Sequence, residues 1–456
     1  MVVMGRTLVR IANGQGFWGD SVDAPVALVE RGGIDYLTLD YLAEVTMSIM
    51  QRQKRKDPRA GYATDFVELA RRILAPCKRK GIRLIANAGG VNPGACLERL
   101  VEVAREAGVQ PLRIAIVEGD DILQRLDDLM AKGAPLESME TGRPLSDVRA
   151  HVLSANVYIS TFAIAEALDT GADVVVTGRC TDPGLTLAPM IHEFGWKHDD
   201  WNRLAAGTIA GHIIECGAQC AGGNYTRWWE VPGLDRIGYP VVEADADGGF
   251  VVTKQPGTGG LVNVASVSEQ ILYEMGDPAR YVSPDVVIDF RTIRVVQEGT
   301  DRVRVRGIEG QPATETYKVS ISHLAGWKAS GQVTISGPSA VEKARHCAAL
   351  VWSRLAEAGV MPEETSTELL GLDSCHGPMA RAASQPAEVV LRLGAKDRER
   401  AKLERFGKEI APLVTAGTPG VTGFAGGRPK PQEIVAYWPA LVPKRLIETR
   451  VRVEDV

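Results

Sequence analysis

Residues 8–12 read Leu-Val-Arg-Ile-Ala, and residues 13–20, which follow directly, read Asn-Gly-Gln-Gly-Phe-Trp-Gly-Asp. An apolar run that ends in a glycine-rich turn predicts a strand whose end lets the backbone approach a ligand closely. A helix that follows such a turn presents unpaired N–H groups to an anion. This stretch therefore predicts the first strand of an α/β domain, with Gly14 and Gly16 in a substrate-binding turn.

The glycines of this turn also have the spacing G-x-G-x-x-G across residues 14–19. A dinucleotide site needs, in addition, an acidic residue about 20 residues further on to bind a ribose. Asp40 meets that requirement, because it follows the next apolar run, Tyr36–Leu39. The bulk of Phe17 and Trp18 disfavours a dinucleotide site, and a nucleotide-dependent oxidoreductase stays open as an alternative function.

The first half of the chain repeats the pattern of strand followed by helix. Amphipathic stretches such as 65–80 and 93–107 separate apolar runs at residues 8–12, 36–39, 82–86, 113–117 and 173–177. Continuous apolar strands between helices predict a mostly parallel sheet with helices on both faces. We assign this α/β domain to residues 1–225. Short alternating strands and turns follow, so we predict a smaller α+β domain over 226–456, strand-rich at first and ending in a Gly/Pro-rich loop and a C-terminal tail.

The composition is that of an ordinary globular protein. Of the 456 residues, 45% are hydrophobic and 24% are charged, and the formal net charge is −5. No basic stripe with interleaved aromatic residues is present, so nucleic acid is not an expected partner. The seven cysteines are sparse for a chain of this length, and an odd number of them cannot all form pairs. They therefore do not indicate a disulfide framework. Since no signal peptide or membrane span is evident either, we expect a cytoplasmic protein without membrane association.

Polar residues follow the ends of several predicted strands. Asp40, Asn87 and Asp120 each follow an apolar run, and Arg179 follows another, with Asp182 three residues further on. Ligands of open parallel sheets collect at the carboxyl ends of the strands. Helix capping would explain one of these carboxylates by itself, but it explains the set less well. We therefore predict one crevice in which Asp40, Asp182, Arg179 and Asp120 are catalytic.

The loop at residues 87–92, Asn-Ala-Gly-Gly-Val-Asn, predicts a second anion-binding turn. Gly89 and Gly90 expose backbone N–H groups, and Pro93 begins a helix whose positive end faces the turn. We expect Asn87, Gly89, Gly90 and Asn92 to bind the anionic end of a substrate. A tight turn without a ligand is the alternative.

Two further residues are candidates for substrate binding. Asn224 ends the glycine-rich stretch that begins at Cys220, and His376 lies in a turn beside Cys375. Adjacent side chains seldom point at one another, so a Cys–His nucleophile pair is not expected. His376 would instead act alone, as an acid or a base.

Two other motifs each allow two interpretations. Arg428 and Lys430 adjoin a run of glycines, which is typical of a mobile surface loop or of a clamp for phosphate or carboxylate. His212, Cys216 and Cys220 recur at every fourth position. Three such residues along two helical turns do not converge readily on one ion, so they predict a buried helix face and no metal site.

Longer stretches of the chain resemble a known family. They are similar to the acyclic terpene utilization (AtuA) family at residues 16–20, 40–46, 87–93, 176–182, 191–196, 212–224 and 253–262. The resemblance is strong over about residues 5–350 and looser beyond. The family name implies catabolism of branched acyclic terpenes, close to acyl-CoA carboxylases. It therefore implies an acyl-CoA thioester or a small branched carboxylate as the substrate.

Under that resemblance we expect a lyase-type enzyme that adds or removes water. Carboxylates, amides and an arginine, without an evident nucleophile, suit a reaction in which one group activates water and N–H donors hold an oxyanion. No cofactor is required, and CoA would enter as part of the substrate. The main alternative is a non-catalytic scaffold subunit of an acyl-CoA-processing complex. A homo-oligomer or a complex with an acyl-CoA carboxylase fits these expectations.

Overall fold

A computed structural model describes residues 7–380, 386–423 and 426–456. The chain forms two compact units. The first unit comprises the described residues as far as Ser322 together with Tyr437–Val456, and the second unit is His323–Ala436. The boundary predicted near residue 225 lies inside the first unit, because the strands that follow it join the first sheet.

The strands and helices have the following bounds. The strands are Leu8–Gln15 (β1), Tyr36–Leu39 (β2), Arg83–Ala86 (β3), Arg113–Glu118 (β4), Val152–Val157 (β5), Val174–Thr177 (β6), Pro240–Asp245 (β7), Phe250–Lys254 (β8), Tyr281–Val282 (β9), Val287–Asp289 (β10), Arg294–Gly299 (β11), Arg302–Arg306 (β12), Glu309–Gln311 (β13), Thr316–Ser336 (β14), Glu364–Leu370 (β15), Glu388–Asp397 (β16), Val421–Gly423 (β17), Gln432–Pro443 (β18) and Arg450–Asp455 (β19). The helices are Ala24–Arg31 (α1), Glu44–Lys56 (α2), Thr64–Lys80 (α3), Pro93–Glu106 (α4), Leu126–Ala131 (α5), Thr161–Asp169 (α6), Gly184–Phe194 (α7), Trp201–Ile214 (α8), Val264–Leu272 (α9), Ala340–Glu357 (α10), Arg400–Ile410 (α11) and Leu413–Ala416 (α12).

A ten-stranded sheet runs through the first unit in the order β11-β12-β8-β7-β1-β2-β3-β6-β4-β19. Strands β1, β2, β3, β6 and β4 pair in parallel, as the alternation of strand and helix predicts. Strands β7 and β19 pair antiparallel with β1 and β4. The sheet is therefore mixed rather than mostly parallel, since strands from the later half of the chain extend it on one side and the C-terminal strand extends it on the other.

Two separate cores lie on the two faces of the parallel strands. Ile114 and Ile116 of β4 belong to one core, and Ala115 and Val117 of the same strand belong to the other. Helix α4 contacts β4 on one face and α6 contacts it on the other. Strands that are buried on both faces read as continuous apolar runs, and for this reason the sequence predicted them.

The second unit has an antiparallel sheet in the order β15-β16-β14-β17. Leu391 and Leu393 of β16 pack with Val351 of α10 and Phe406 of α11. The long strand β14, Thr316–Ser336, continues from the first unit into the second. Within the predicted Gly/Pro-rich loop, residues 424–425 lie outside the described residues. In the described part of the chain, no helix combines the length and the apolar character needed to cross a membrane.

Candidate functional site

A cavity of 490 Å³ opens in the first unit, among residues that follow the carboxyl ends of the parallel strands. Its size is typical of a small-molecule site. Glu44 follows β2, and Arg179 and Asp182 follow β6. The other titratable residues of its lining are Tyr158, His212, Glu215, Glu274, Arg280, Tyr281 and Lys318.

Arg179 is a buried cation in the wall of this cavity, with a side chain only 1% exposed. Its Nη1 donates to the Leu42 carbonyl at 2.5 Å, and its Nη2 donates to Asp182 Oδ2 at 3.3 Å. The guanidinium carbon lies 4.2 Å from the ring centre of Tyr158. Among the described residues its Nε has no hydrogen-bond partner. A buried donor without a partner is costly, so this N–H group is available to a ligand.

Asp40 and Asn87 lie beside the cavity and not in its lining. Asn87 Nδ2 donates to Asp40 Oδ1 at 2.7 Å, and the backbone N–H of Leu42 donates to the same oxygen at 3.0 Å. Burial and the charge of Asp182 raise the pKa of Asp40 well above its usual range. Both residues were predicted to contact substrate. The structure instead uses them to fix the loop after β2, whose Leu42 carbonyl accepts from Arg179.

Asp120 likewise positions the site rather than lining it. Its Oδ2 accepts from the backbone N–H of Arg179 and from Asn156 Nδ2, both at 2.8 Å. Burial raises the pKa of Asp120 to about 7. The carboxyl group of Asp120 is enclosed and accepts from the backbone of Arg179, so its contacts in the structure are those of a positioning residue.

Asp182 lines the cavity and caps no helix. Helix α7 begins at Gly184 with Pro183 as its N-cap residue, so capping does not explain the carboxylate. Its Oδ1 lies 3.2 Å from Arg179 Nη1, yet no hydrogen bond to it forms within the described residues. Burial raises the pKa of Asp182, although the nearby Arg179 opposes this.

Two further titratable residues of the lining were not predicted as site residues. His212 Nδ1 lies 3.4 Å from Glu215 Oε1, and His212 Nε2 lies 3.2 Å from the Ile271 carbonyl. Burial lowers the pKa of His212 and raises that of Glu215 well above its usual range. Neither His212 Nδ1 nor Glu215 Oε2 has a hydrogen-bond partner among the described residues. The available signal was a carboxylate directly after an apolar helix that is buried on every face.

The helix face predicted to carry His212, Cys216 and Cys220 is not continuous. Helix α8 ends at Ile214, and a separate 3₁₀ turn covers Gly217–Ala221. In the part of the chain that the structure describes, no group of three His, Cys, Asp or Glu side chains is arranged to hold a metal ion.

Glu44, Tyr158 and Lys318 form a polar edge of the cavity. The Tyr158 hydroxyl donates to Glu44 Oε1 at 2.9 Å, and Lys318 Nζ lies 3.8 Å from the same oxygen. Burial acts to raise the pKa of Glu44, but the charge of Arg179 and these contacts lower it overall. The cavity thus has an ionised carboxylate at this edge and carboxyl groups with raised pKa values, Asp182 and Glu215, further along its wall.

The glycine-rich turn at residues 14–19 was predicted to bind a ligand, but Gly16 instead contacts other residues of the protein. The backbone N–H of Gly16 donates to Asp20 Oδ2 at 2.9 Å, and a Cβ atom on Gly16 would lie 2.7 Å from the backbone of Cys216. Gly14 lies inside β1, and α1 begins only at Ala24. The turn therefore does not lead directly into a helix, and the basis for a dinucleotide site is lost.

The second glycine turn also donates its N–H groups within the protein. Gly89 donates to the Thr177 carbonyl at 3.0 Å, Gly90 to the Asn87 carbonyl at 3.4 Å and Asn92 to the Gly89 carbonyl at 2.9 Å. These donors are consequently not free for an anion. The glycines allow close packing of the turn, and the predicted binding of an anion by these N–H groups stays a prediction.

Asn224 and His376 lie elsewhere. Asn224 is exposed on the wall of another cavity, of 280 Å³. His376 is exposed in the second unit, directly before the 3₁₀ turn Gly377–Met379. The 490 Å³ cavity is lined by residues of the first unit.

Comparison with known proteins gives one match. A family model described as acyclic terpene utilisation family protein AtuA matches residues 9–453. Neither the curated proteins nor the solved structures that were compared with the chain gave a match. The matched range includes every residue that lines the 490 Å³ cavity.

Proposed function

The chain belongs to the acyclic terpene utilisation family AtuA, and from this premise we propose that it is a hydratase- or lyase-type enzyme. Its proposed substrate is a small branched carboxylate or the corresponding acyl thioester. One observation carries the proposal: four buried polar atoms that have no hydrogen-bond partner among the described residues belong to side chains that line one cavity. They are Arg179 Nε, Asp182 Oδ1, His212 Nδ1 and Glu215 Oε2. Native proteins seldom leave buried polar groups unpaired, so the set favours a polar ligand.

The two carboxyl groups suit acid–base chemistry with divided roles. The pKa of Glu215 lies well above its usual range, because it is buried near Asp182 and Glu274. The raised pKa favours the protonated form of Glu215, and we assign this residue as the proton donor. Asp182 is paired with Arg179, which opposes the effect of burial on its pKa, so it is the better proton acceptor. Carboxyl groups whose environments separate their pKa values are typical of an acid and base pair.

In the hydration direction, Asp182 takes a proton from water while the water oxygen bonds to the β-carbon of an α,β-unsaturated substrate. The electron pair of the double bond moves onto the carbonyl oxygen, and the Nε–H of Arg179 stabilises that negative charge. The α-carbon then takes the proton of Glu215, and the carbonyl re-forms. The proton gained by Asp182 returns to Glu215 to close the cycle. Lys318 and Arg280 also line the cavity, and we assign them to the anionic group of the substrate.

The test is turnover of branched α,β-unsaturated acids and their CoA thioesters by the purified chain. Asp182→Asn removes the proton acceptor but keeps the size of the side chain. It should leave the melting temperature unchanged and lower kcat by about 100-fold or more. Asp121→Asn is the matched control, because the Asp121 carboxylate accepts from the backbone of Leu123 at 3.0 Å and does not line the cavity.

Normal turnover in Asp182→Asn would contradict the assigned base. Absence of turnover by the unaltered chain across both substrate classes would contradict the proposed reaction and would favour the scaffold alternative. Turnover without any added protein would exclude a purely non-catalytic role.

A further inference from the structure

We propose that the second unit binds a phosphate-bearing small molecule in a trough on the open face of its sheet. The trough is a cavity of 880 Å³ whose lining comes from β14, β15, β16, the start of β18 and residues 426–430. Its lining residues all belong to the second unit. This site is separate from the chemistry proposed for the 490 Å³ cavity.

The floor of the trough is a row of small residues across three strands. Gly394 of β16 pairs with Ser330 of β14 on one side and with Ser366 of β15 on the other. The rows before and after it carry long side chains, with Lys396 between Lys328 and Glu364, and Arg392 between Gln332 and Glu368. A row of small residues between two rows of long ones leaves a depression, with two hydroxyl groups at its base.

This face of the sheet is open because the helices cover the opposite one. Successive side chains of a strand point to opposite faces. Leu391, Leu393 and Ala395 are buried in the core with α10 and α11. Arg392 and Lys396, which alternate with them, therefore project from the other face and into the trough.

The trough has an excess of positive charge. Five cationic side chains and two carboxylates line it, in a chain whose formal net charge is −5. Lys396 Nζ pairs with Glu364 at 2.8 Å, and Arg392 pairs with Glu368. Both carboxylates are thus neutralised. The three remaining cations, Lys328, Arg428 and Lys430, form no ion pair among the described residues.

A glycine pair brings open backbone to the same place. Gly426 and Gly427 have φ values of +77° and +72°, and no atom lies within 4 Å of a Cβ atom placed on either. They directly precede Arg428, and Pro429 leads to Lys430. Backbone of this kind allows close approach by a ligand, and guanidinium groups match the oxygens of phosphate in a bidentate manner. Cations on several sides of two hydroxyl groups suit a multiply charged phosphate better than a single carboxylate.

The experiment is calorimetric titration of the full chain with inorganic pyrophosphate. The double variant Arg428→Gln/Lys430→Gln should weaken pyrophosphate binding by about tenfold or more, since it removes two charge-assisted contacts. The control is Arg398→Gln/Lys408→Gln, which removes the same charge from exposed positions of the second unit outside the trough. The control should bind pyrophosphate as the unaltered chain does.

Three results would overturn the proposal: absence of pyrophosphate binding by the unaltered chain, equal loss in both double variants, or citrate binding as tightly as pyrophosphate. Titration with ADP and CoA separates the sources of the phosphate. Tighter binding of either one than of pyrophosphate identifies a nucleotide-bearing ligand. Equal or weaker binding identifies the phosphate group alone, and both results support the trough as a phosphate site.

Discussion

At the scale of single residues, Arg179 holds several buried carboxyl groups together. Its charge opposes the rise in pKa that burial causes at Asp40, Asp182 and Glu215, and the pKa values of all three remain raised. Burying a charge is expensive unless it is paired and hydrogen-bonded. The Arg179 guanidinium meets that condition through Leu42 and Asp182, and its Nε–H group has no hydrogen-bond partner among the described residues.

Asp120 predicts a pH dependence of stability. Its pKa is about 7 in the folded protein, against an ordinary value of 3.8, so the folded protein keeps a proton that the unfolded chain releases. The stability from this group is fully present below its ordinary pKa and is lost as the pH rises through its folded pKa. Asp120→Asn keeps the hydrogen-bond acceptor without the titration. The free energy of unfolding should then fall less steeply over this pH range, by about one proton in the linkage slope.

Urea unfolding at a series of pH values measures this slope. Asp128→Asn is the control, because its exposed carboxylate pairs with Lys132 on the surface at 2.9 Å. An unchanged slope in Asp120→Asn would mean that the carboxyl group is ionised in the folded protein throughout.

At this scale, the sequence predicted which residues lie at the same edge of the sheet better than it predicted which of them line the cavity. Asp40, Asp120 and Arg179 end parallel strands, and the carboxyl ends of parallel strands share one edge. The conformation of the loop after each strand decides which side chain enters the cavity. The apolar pattern of the strand gives no information about that conformation. Glu215 and His212 were missed because α8 is apolar and buried on all sides, a pattern that otherwise indicates only core.

At the scale of elements, the turn before α4 requires glycine because it packs against β6. A Cβ atom on Gly89 would lie 2.7 Å from the Thr177 carbonyl oxygen and 3.1 Å from Pro93. Gly89→Ala should therefore lower the free energy of unfolding by about 1–3 kcal/mol through overpacking. Gly94→Ala is the control. There the nearest atom is the Nη2 of Arg452, at 3.1 Å, which is the end of a flexible side chain, and alanine favours the helix.

Chemical unfolding of both variants measures the difference. Equal stability of Gly89→Ala and the unaltered chain would show that the turn can move away from β6, and would return the glycine to a possible role toward ligands.

The elements themselves were predictable where burial is continuous. The run at 36–39 matches β2 residue for residue. Strand β5 was not predicted, because Ser154 and Asn156 interrupt its apolar pattern although both are buried. Asn156 donates a hydrogen bond to Asp120. This polar side chain interrupts the apolar pattern by which the strand would have been predicted.

At the scale of the whole molecule, the chain leaves the first unit after Ser322 and returns to it at Tyr437. The C-terminal strand β19 then pairs with β4 from Arg450↔Glu118 to Asp455↔Arg113. Its sequence alternates charged residues with valine and carries no signal of its partner. For this reason, the sequence pattern predicts a single boundary near residue 225 and gives no indication that the chain returns to the first unit.

The division into units predicts that the two proposed sites can be separated. All lining residues of the 490 Å³ cavity belong to the first unit, and all lining residues of the trough belong to the second. The test replaces His323–Ala436 with a flexible Gly/Ser linker that joins Ser322 to Tyr437. The shortened protein should unfold in one cooperative transition and keep the turnover that depends on Asp182. It should lose pyrophosphate binding, because the residues that line the trough are absent.

Circular dichroism during heating, steady-state turnover and calorimetry measure these three properties. A folded deletion protein without turnover would show that the cavity depends on the second unit, and one that still binds pyrophosphate would place that ligand outside the trough.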